Sequence, residues 1–265
     1  MQATQDAADT PLRISRDARG VVTLTLNRPQ AFNALSDALL AALQGAIDAL
    51  KEDDTARVVI LQGAGRAFCA GHDLKEMRAQ PGEDRCNDLF GRCSKVMLGL
   101  VALPQPVIAR VHGLATAAGC QLVAQCDLAV AAADARFAVS GINVGLFCST
   151  PSVALVRNVP RKMAMEMLLT GEFIDANTAR QWGLVNRVAA PEALDAEVGA
   201  LVDSILAKPA AAIALGKAQF YRQIDMGLAG AYQLAGQTMS RNFMQDDALE
   251  GVQAFLEKRP PAWRA

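Results

Sequence analysis

Two runs of very small side chains constrain this chain more than any other feature. The first, Arg66-Ala67-Phe68-Cys69-Ala70-Gly71-His72-Asp73-Leu74, follows the short apolar stretch Val58 to Leu61. The second, His112-Gly113-Leu114-Ala115-Thr116-Ala117-Ala118-Gly119-Cys120, follows Val107 to Val111. Each reads as a loop between a buried strand and a helix start. Helix starts leave backbone N–H groups without intrahelical partners, and small residues let a ligand approach that backbone closely. If the two loops converge, they aim two N–H groups at one carbonyl oxygen, an oxyanion hole in which losing a donor costs roughly 3 to 4 kcal/mol of barrier. Tight turns that need small residues only for packing account for the same spacing equally well.

Around these loops, strand, loop and helix recur. Leu12 and Ile14, then Val22, Leu24 and Leu26, alternate about a turn at Asp17 to Gly20 and predict a hairpin. Ser36 caps a helix whose Leu39, Leu40, Leu43, Ile47 and Leu50 share a face. A helix is expected from Arg85 to Leu103, stopping before Pro104 and Pro106, and another from Gly119 to Ala124. Strands are expected at Asp127 to Ala131, Arg136 to Val139 and Leu184 to Val188, with Asp175 capping a short helix and Pro191 starting one that runs to Ala207. The class is α/β with mostly parallel pairing, built from β-β-α repeats of similar size. Beyond Pro209 the pattern is helical, with Phe220, Leu228, Tyr232, Leu234, Phe243, Leu249 and Phe255 as its apolar anchors. The chain thus divides into a polar arm (1–11), an α/β core (12–207) and a helical C-terminal segment (208–265) that is too short to bury much alone and packs on the core or on a neighbouring subunit.

Composition excludes several functions. There are 26 basic and 27 acidic side chains, net charge -1, with no block of one sign, so neither a nucleic-acid surface nor a polybasic membrane surface is indicated. Six cysteines form no CxxC pair and only His72 and His112 accompany them, which is poor material for a metal site; the cysteines read as reduced, small hydrophobes. The N-terminus has neither an apolar leader nor a basic transit pattern, and no stretch approaches a membrane span, so a soluble cytoplasmic protein is expected. Gly63-Ala64-Gly65 follows a strand, but Phe68 stands where a dinucleotide fingerprint needs its third glycine.

Five segments, in order, resemble the crotonase (enoyl-CoA hydratase/isomerase) superfamily: NRPQAFNALS, FCAGHDLKEM, PVIARVHGLATAAGCQLVAQCDLAVA, RKMAMEMLLTGEFIDANTARQWGLVNRV and FLEKR. The resemblance runs from about Leu12 to Arg259 and is closest to a glutamate-lacking branch named for containing an enoyl-CoA hydratase domain. It implies a spiral of β-β-α turns with a helical trimerisation segment, assembled as a homotrimer or dimer of trimers, and an acyl-CoA substrate with no cofactor beyond that coenzyme A. It implies that the backbone N–H groups of His72 and Ala118 are the oxyanion donors. Ala70, Gly71, Asp73, Leu74 and Lys75 would hold coenzyme A, and Lys258 its 3′-phosphate, often across a subunit boundary.

Where this sequence departs from the family, it loses the chemistry. Hydratases divide acid and base work between two glutamates; here the positions are Gln121 and Gly141. An amide orients water but exchanges no proton at useful pH, and glycine offers nothing, so hydration is expected to be slow or absent. Ser149, or Cys148 beside it, stands where other members place a reactive group and needs a base to act as a nucleophile. The His72 imidazole would project near the thioester. His112 reads as a turn residue, Asp127 as structural, and Asp73 as a helix cap as well as a coenzyme A contact. The segment from Phe90 to Leu103 is expected to wall the acyl pocket. An enzyme using the oxyanion hole on acyl-CoA thioesters and a non-catalytic acyl-CoA binder or assembly partner both fit these residues.

Overall fold

The computed structural model describes residues 10–263; all of the expected N-terminal arm except residues 10 and 11 lies outside them. In chain order the elements are β1 (Leu12–Arg16), β2 (Val21–Leu26), α1 (Asp37–Lys51), β3 (Val58–Gly63), α2 (Leu74–Ala79), α3 (Glu83–Ala102), β4 (Val107–Val111), β5 (Leu114–Thr116), α4 (Ala118–Gln125), β6 (Leu128–Ala132), β7 (Arg136–Ala138), α5 (Ser149–Leu155), α6 (Arg161–Thr170), β8 (Ile174–Asp175), α7 (Ala176–Gln181), β9 (Arg187–Ala189), α8 (Leu194–Leu206), α9 (Ala210–Gln223), α10 (Leu228–Phe243) and α11 (Asp246–Leu256).

The strands form a six-stranded sheet in the order β1-β2-β3-β4-β6-β9 and a small sheet in the order β5-β7-β8. Only the β1–β2 hairpin and the β7–β8 pair are antiparallel. After the β1–β2 hairpin, each strand of the large sheet hands the chain to a helix, or to a strand of the small sheet and then a helix, which is the β-β-α spiral. Parallel strands covered on both faces are apolar throughout, as Val58-Val59-Ile60-Leu61 and Val107-Ile108-Ala109 show. One face packs on α1, α3 and α4 through Leu39, Leu43, Ile47, Val96 and Leu100; the other packs on α8 through Leu194, Val198 and Val202.

Caps fall where short polar side chains can reach a first-turn N–H. Ser36 accepts from Leu39 N–H, Asp73 from Lys75 and Glu76, and Asp175 from Thr178. The C-terminal helices differ from the core. Apolar residues expected to anchor them face outward: Leu228, Tyr232 and Phe255 are each more than 70% exposed, as is Met239 beside them. What ties this segment to the core is polar. Lys217 on α9 donates to the Leu100 and Gln105 carbonyls at 3.0 Å and pairs with Asp127 at 2.6 Å, while the Tyr221 hydroxyl donates to the same carboxylate at 2.9 Å. Among the described residues no single helix is long and apolar enough to cross a membrane.

Candidate active site

The two small-residue loops do meet. An isolated parallel bridge joins Cys69 to Ala115: Cys69 N–H donates to Leu114 O and Thr116 N–H to Cys69 O, both at 3.0 Å. A second bridge joins Leu35 to His72, through Leu35 N–H to Gly71 O (2.7 Å) and Asp73 N–H to Leu35 O (3.2 Å). Gly71, at φ +92°, lets the loops touch. A Cβ there would lie 2.8 Å from the Ala117 methyl and 3.2 Å from the Ala118 nitrogen, so the peptide ending at Gly71 sits directly against the start of α4.

Two N–H groups are left over by this stitching. The second bridge uses the Gly71 carbonyl and the Asp73 N–H and not the His72 N–H, and Ala118 is the first residue of α4, ahead of any intrahelical acceptor. Neither N–H has a hydrogen-bond acceptor among the described residues, and both residues line one cavity of about 350 Å³. The Ala118 amide is aimed by strain. Ala117 holds φ +50°, ψ -122°, a conformation that a non-glycine residue occupies at a cost of about 1 to 3 kcal/mol and that recurs at functional sites.

Support for the first loop comes from residues whose role the sequence did not reveal. The fully buried Asn33 amide donates to the Ala64 and Ala67 carbonyls at 2.8 and 2.7 Å, and its oxygen accepts from Arg28 N–H. The Arg28 guanidinium bonds the Ala34 carbonyl and pairs with Asp73 at 2.9 Å. Burial alone would push the Asp73 carboxyl up, but Arg28 and the Glu76 and Lys75 amides outweigh it and hold the group below its usual value. That carboxylate is therefore occupied as a cap and ion-pair partner.

Of the residues expected at the site, Ala70, His72, Leu74, Ala118, Gly141 and Ser149 line the cavity, with Met77, Phe90, Leu146, Phe147 and Cys148 completing its apolar character. Gln121 does not line it. It is buried one turn beyond Ala118, with its amide oxygen unpaired by protein. Lys75 lies in the first turn of α2 in solvent and Lys258 follows α11 in solvent, and neither reaches the cavity of its own chain. Of the expected wall from Phe90 to Leu103, only Phe90 faces the cavity; Val96, Met97 and Leu100 belong to the core.

The electrostatics are those of a neutral chamber. Among the described residues no Asp, Glu, Lys or Arg lines it. Both ring nitrogens of His72 are shielded and have no protein partner, burial pulls its pKa down to about 4, and the ring meets Phe90 edge-on at 5.5 Å. The Cys148 thiol is raised by burial, partly offset by the Gly141 N–H that it accepts at 3.3 Å, so it stays protonated. Ser149 turns its hydroxyl to the Phe147 carbonyl, with no base paired to it, which removes the arrangement a nucleophile needs. His112 is a turn residue as expected, its Nε2 2.8 Å from Gly65 O.

Gly141 is more than a missing glutamate. A Cβ at this position would fall 2.4 Å from the Leu146 carbonyl and 2.8 Å from the Cys148 sulfur. The space in which a carboxylate stem would begin is filled by the loop that follows, so a glutamate side chain needs that loop to move.

A family model described as enoyl-CoA hydratase/isomerase matches residues 16–265. The chain belongs to that family. Within it, the chain is similar to the Xenopus laevis protein named enoyl-CoA hydratase domain-containing protein 3, mitochondrial, at 46% identity over 96% of this chain and 86% of that protein. The human protein of the same name is 45% identical over 94% of this chain and 82% of its own length. The structure superposes on a crystal structure titled as an enoyl-CoA hydratase from Mycobacterium smegmatis with a TM-score of 0.95 and 65% identity, covering 96% and 99% of the two chains. These names correct the cytoplasmic location expected from the N-terminus, since the frog and human relatives are named mitochondrial.

Proposed function

We propose that the cavity receives the thioester of an acyl-CoA and that the His72 and Ala118 amides donate to its carbonyl oxygen. The observation that carries this reading is the pair of unpartnered N–H groups, one held by a bridge and one by a strained alanine, opening into the same apolar chamber. Two donors in a water-poor site favour charge that develops on the oxygen, and the positive end of α4 adds to them. Ala70 and Leu74, at the cavity wall, suit the pantetheine arm, and Lys75 and Lys258 suit the phosphates. Lys258 would act from a neighbouring copy, since it does not reach the cavity of its own chain. The outward apolar faces of α10 and α11 support a homotrimer, or a dimer of trimers, in which that copy is present. The chemistry asks for no group beyond the coenzyme A of the substrate.

Hydration is not the reaction this chamber favours. Addition of water across an enoyl double bond needs one group to take a proton and another to supply one. Among the described residues the titratable groups on the wall are a neutral imidazole and a protonated thiol, and Gln121 is buried behind it. The reading is therefore a thioester-binding member of the family with little or no crotonyl-CoA hydratase activity.

The test is calorimetric titration with butyryl-CoA and with the S-butyl thioether of coenzyme A, which lacks only the carbonyl oxygen. The thioester is expected to bind about tenfold more tightly, the worth of one to two net hydrogen bonds. Equal affinities would remove the two amides from the account. Crotonyl-CoA hydration at a rate typical of enzymes, a turnover of about 1 per second or more, would contradict the second half of the reading.

A further inference from the structure

Among the described residues four that are not glycine have positive φ: Phe32, Asn33, Ala117 and Lys258. Phe32 and Asn33 brace the first small-residue loop, and Ala117 aims the Ala118 amide. Lys258 belongs to a different element. At φ +55° it occupies the left-handed position just after α11, where glycine is the favoured residue. Arg259 N–H closes the turn on Ala254 O at 3.0 Å. The lysine side chain is exposed and has no partner among the described residues.

A chain end that follows a helix ordinarily frays. This one is strapped down. The Arg259 guanidinium forks onto the Glu250 carboxylate at 2.6 and 3.0 Å, and Glu250 also accepts from Ala262 N–H at 2.8 Å. Trp263 lays its ring on Gly251, where a Cβ would fall 3.0 Å from the indole, and donates its Nε1–H to the Ala207 carbonyl at 2.9 Å. The strap thus returns along α11 and ends at the C-terminal cap of α8, a helix packed on the large sheet. Without it little would fix the last turn of α11, since Ala254 is the one residue of that helix that is buried. Arg259 is spent on Glu250 and Glu257, which leaves Lys258 as the cation of this turn free to meet a ligand.

We infer that Glu250, Arg259 and Trp263 are positioning residues that hold Lys258 outward for the 3′-phosphate of a coenzyme A bound to a neighbouring copy. This rests on the reading of Lys258 given above. Lysine meets a phosphate as a point charge on a flexible stem, so its placing has to come from the backbone that carries it. An ammonium on a frayed end would lose more freedom on binding, and a backbone fixed beforehand removes part of that cost.

The experiment titrates the full chain, in its native assembly and at fixed low ionic strength, with butyryl-CoA and with butyryl-3′-dephospho-CoA, which lacks only that phosphate. The wild type is expected to prefer the phosphorylated ester about tenfold, and Lys258→Met to lose most of that preference. Trp263→Ala changes no charge. It should lower the preference about threefold, leave the affinity for the dephospho ester in place, and add nothing when combined with Lys258→Met. A strap that served the fold alone would weaken both esters together, or act as strongly with Lys258 absent as with it present. Either result overturns the inference, as does a preference unchanged in Trp263→Ala. Should that variant not fold or not assemble, Glu250→Gln combined with Arg259→Gln keeps the net charge and must show the same loss. Equal binding of both esters by the wild type would remove the reading of Lys258 and this inference with it. The thioester reading would survive that result, because it is judged against the thioether.

Discussion

Two buried polar clusters in this molecule follow opposite rules. Around Asp127 every group is paired: Lys217, Tyr221 and Val107 N–H surround the carboxylate, and Lys217 also satisfies two carbonyls. Burial presses the Lys217 ammonium pKa down, and the Asp127 charge offsets part of that. Around His72 the wall holds two unpaired amides, an unpaired imidazole and a strained alanine, with the unpaired Gln121 oxygen behind it. Buried polar groups that satisfy one another hold a fold together, while several left unsatisfied around one cavity point to where a ligand belongs. The first cluster fastens the C-terminal helices to the core, and the second gives up stability to keep a chamber ready.

That contrast can be broken or sharpened by experiment. The largest effect belongs to the satisfied cluster. Lys217→Met leaves Asp127 buried without its counter-charge and should cost about 3 to 5 kcal/mol in denaturant unfolding, with little change in the affinity for butyryl-CoA. A loss well below 1 kcal/mol would mean that the cluster is decorative. The next effect belongs to His72. Its folded pKa of about 4 lies below the unfolded 6.5, so its contribution is fully present above pH 6.5 and is lost as pH falls towards 4. The unfolded chain binds the proton first, and the loss should approach roughly 3 kcal/mol across that window. His72→Phe should flatten the stability–pH curve there; an unchanged curve would show that the ring is already hydrogen-bonded or solvated. The smallest effect is at Ala117. Ala117→Gly relieves the positive φ and should raise stability by about 1 kcal/mol in thermal melts, whereas a neutral or negative change would mean that the strain is absent.

Much of this architecture was legible in the sequence, for local reasons. Strand β4 appears at the expected residues because Pro106 and the His112-Gly113 turn bracket it, and Ser36, Asp73 and Asp175 cap the helices they were read as capping. The small sheet was only partly visible, because strands of two or three residues such as β5 and β8 carry no periodicity of their own. The strand expected at Leu184 to Val188 forms later, at Arg187 to Ala189, after the turn that ends α7. At the site, spacing and family likeness pointed to the two amides. Tertiary contacts decided the rest: the loop that fills the space beside Gly141, Gln121 lying behind the wall, and Asn33 bracing a loop more than thirty residues away. None of these follows from residue type or periodicity.

The most direct measurement is a crystal structure of the protein with butyryl-CoA bound. The account predicts the thioester oxygen about 2.7 to 3.1 Å from both the His72 and the Ala118 nitrogens. An acyl group seated in the chamber with its carbonyl turned from either amide, or a thioester held elsewhere on the protein, would contradict it.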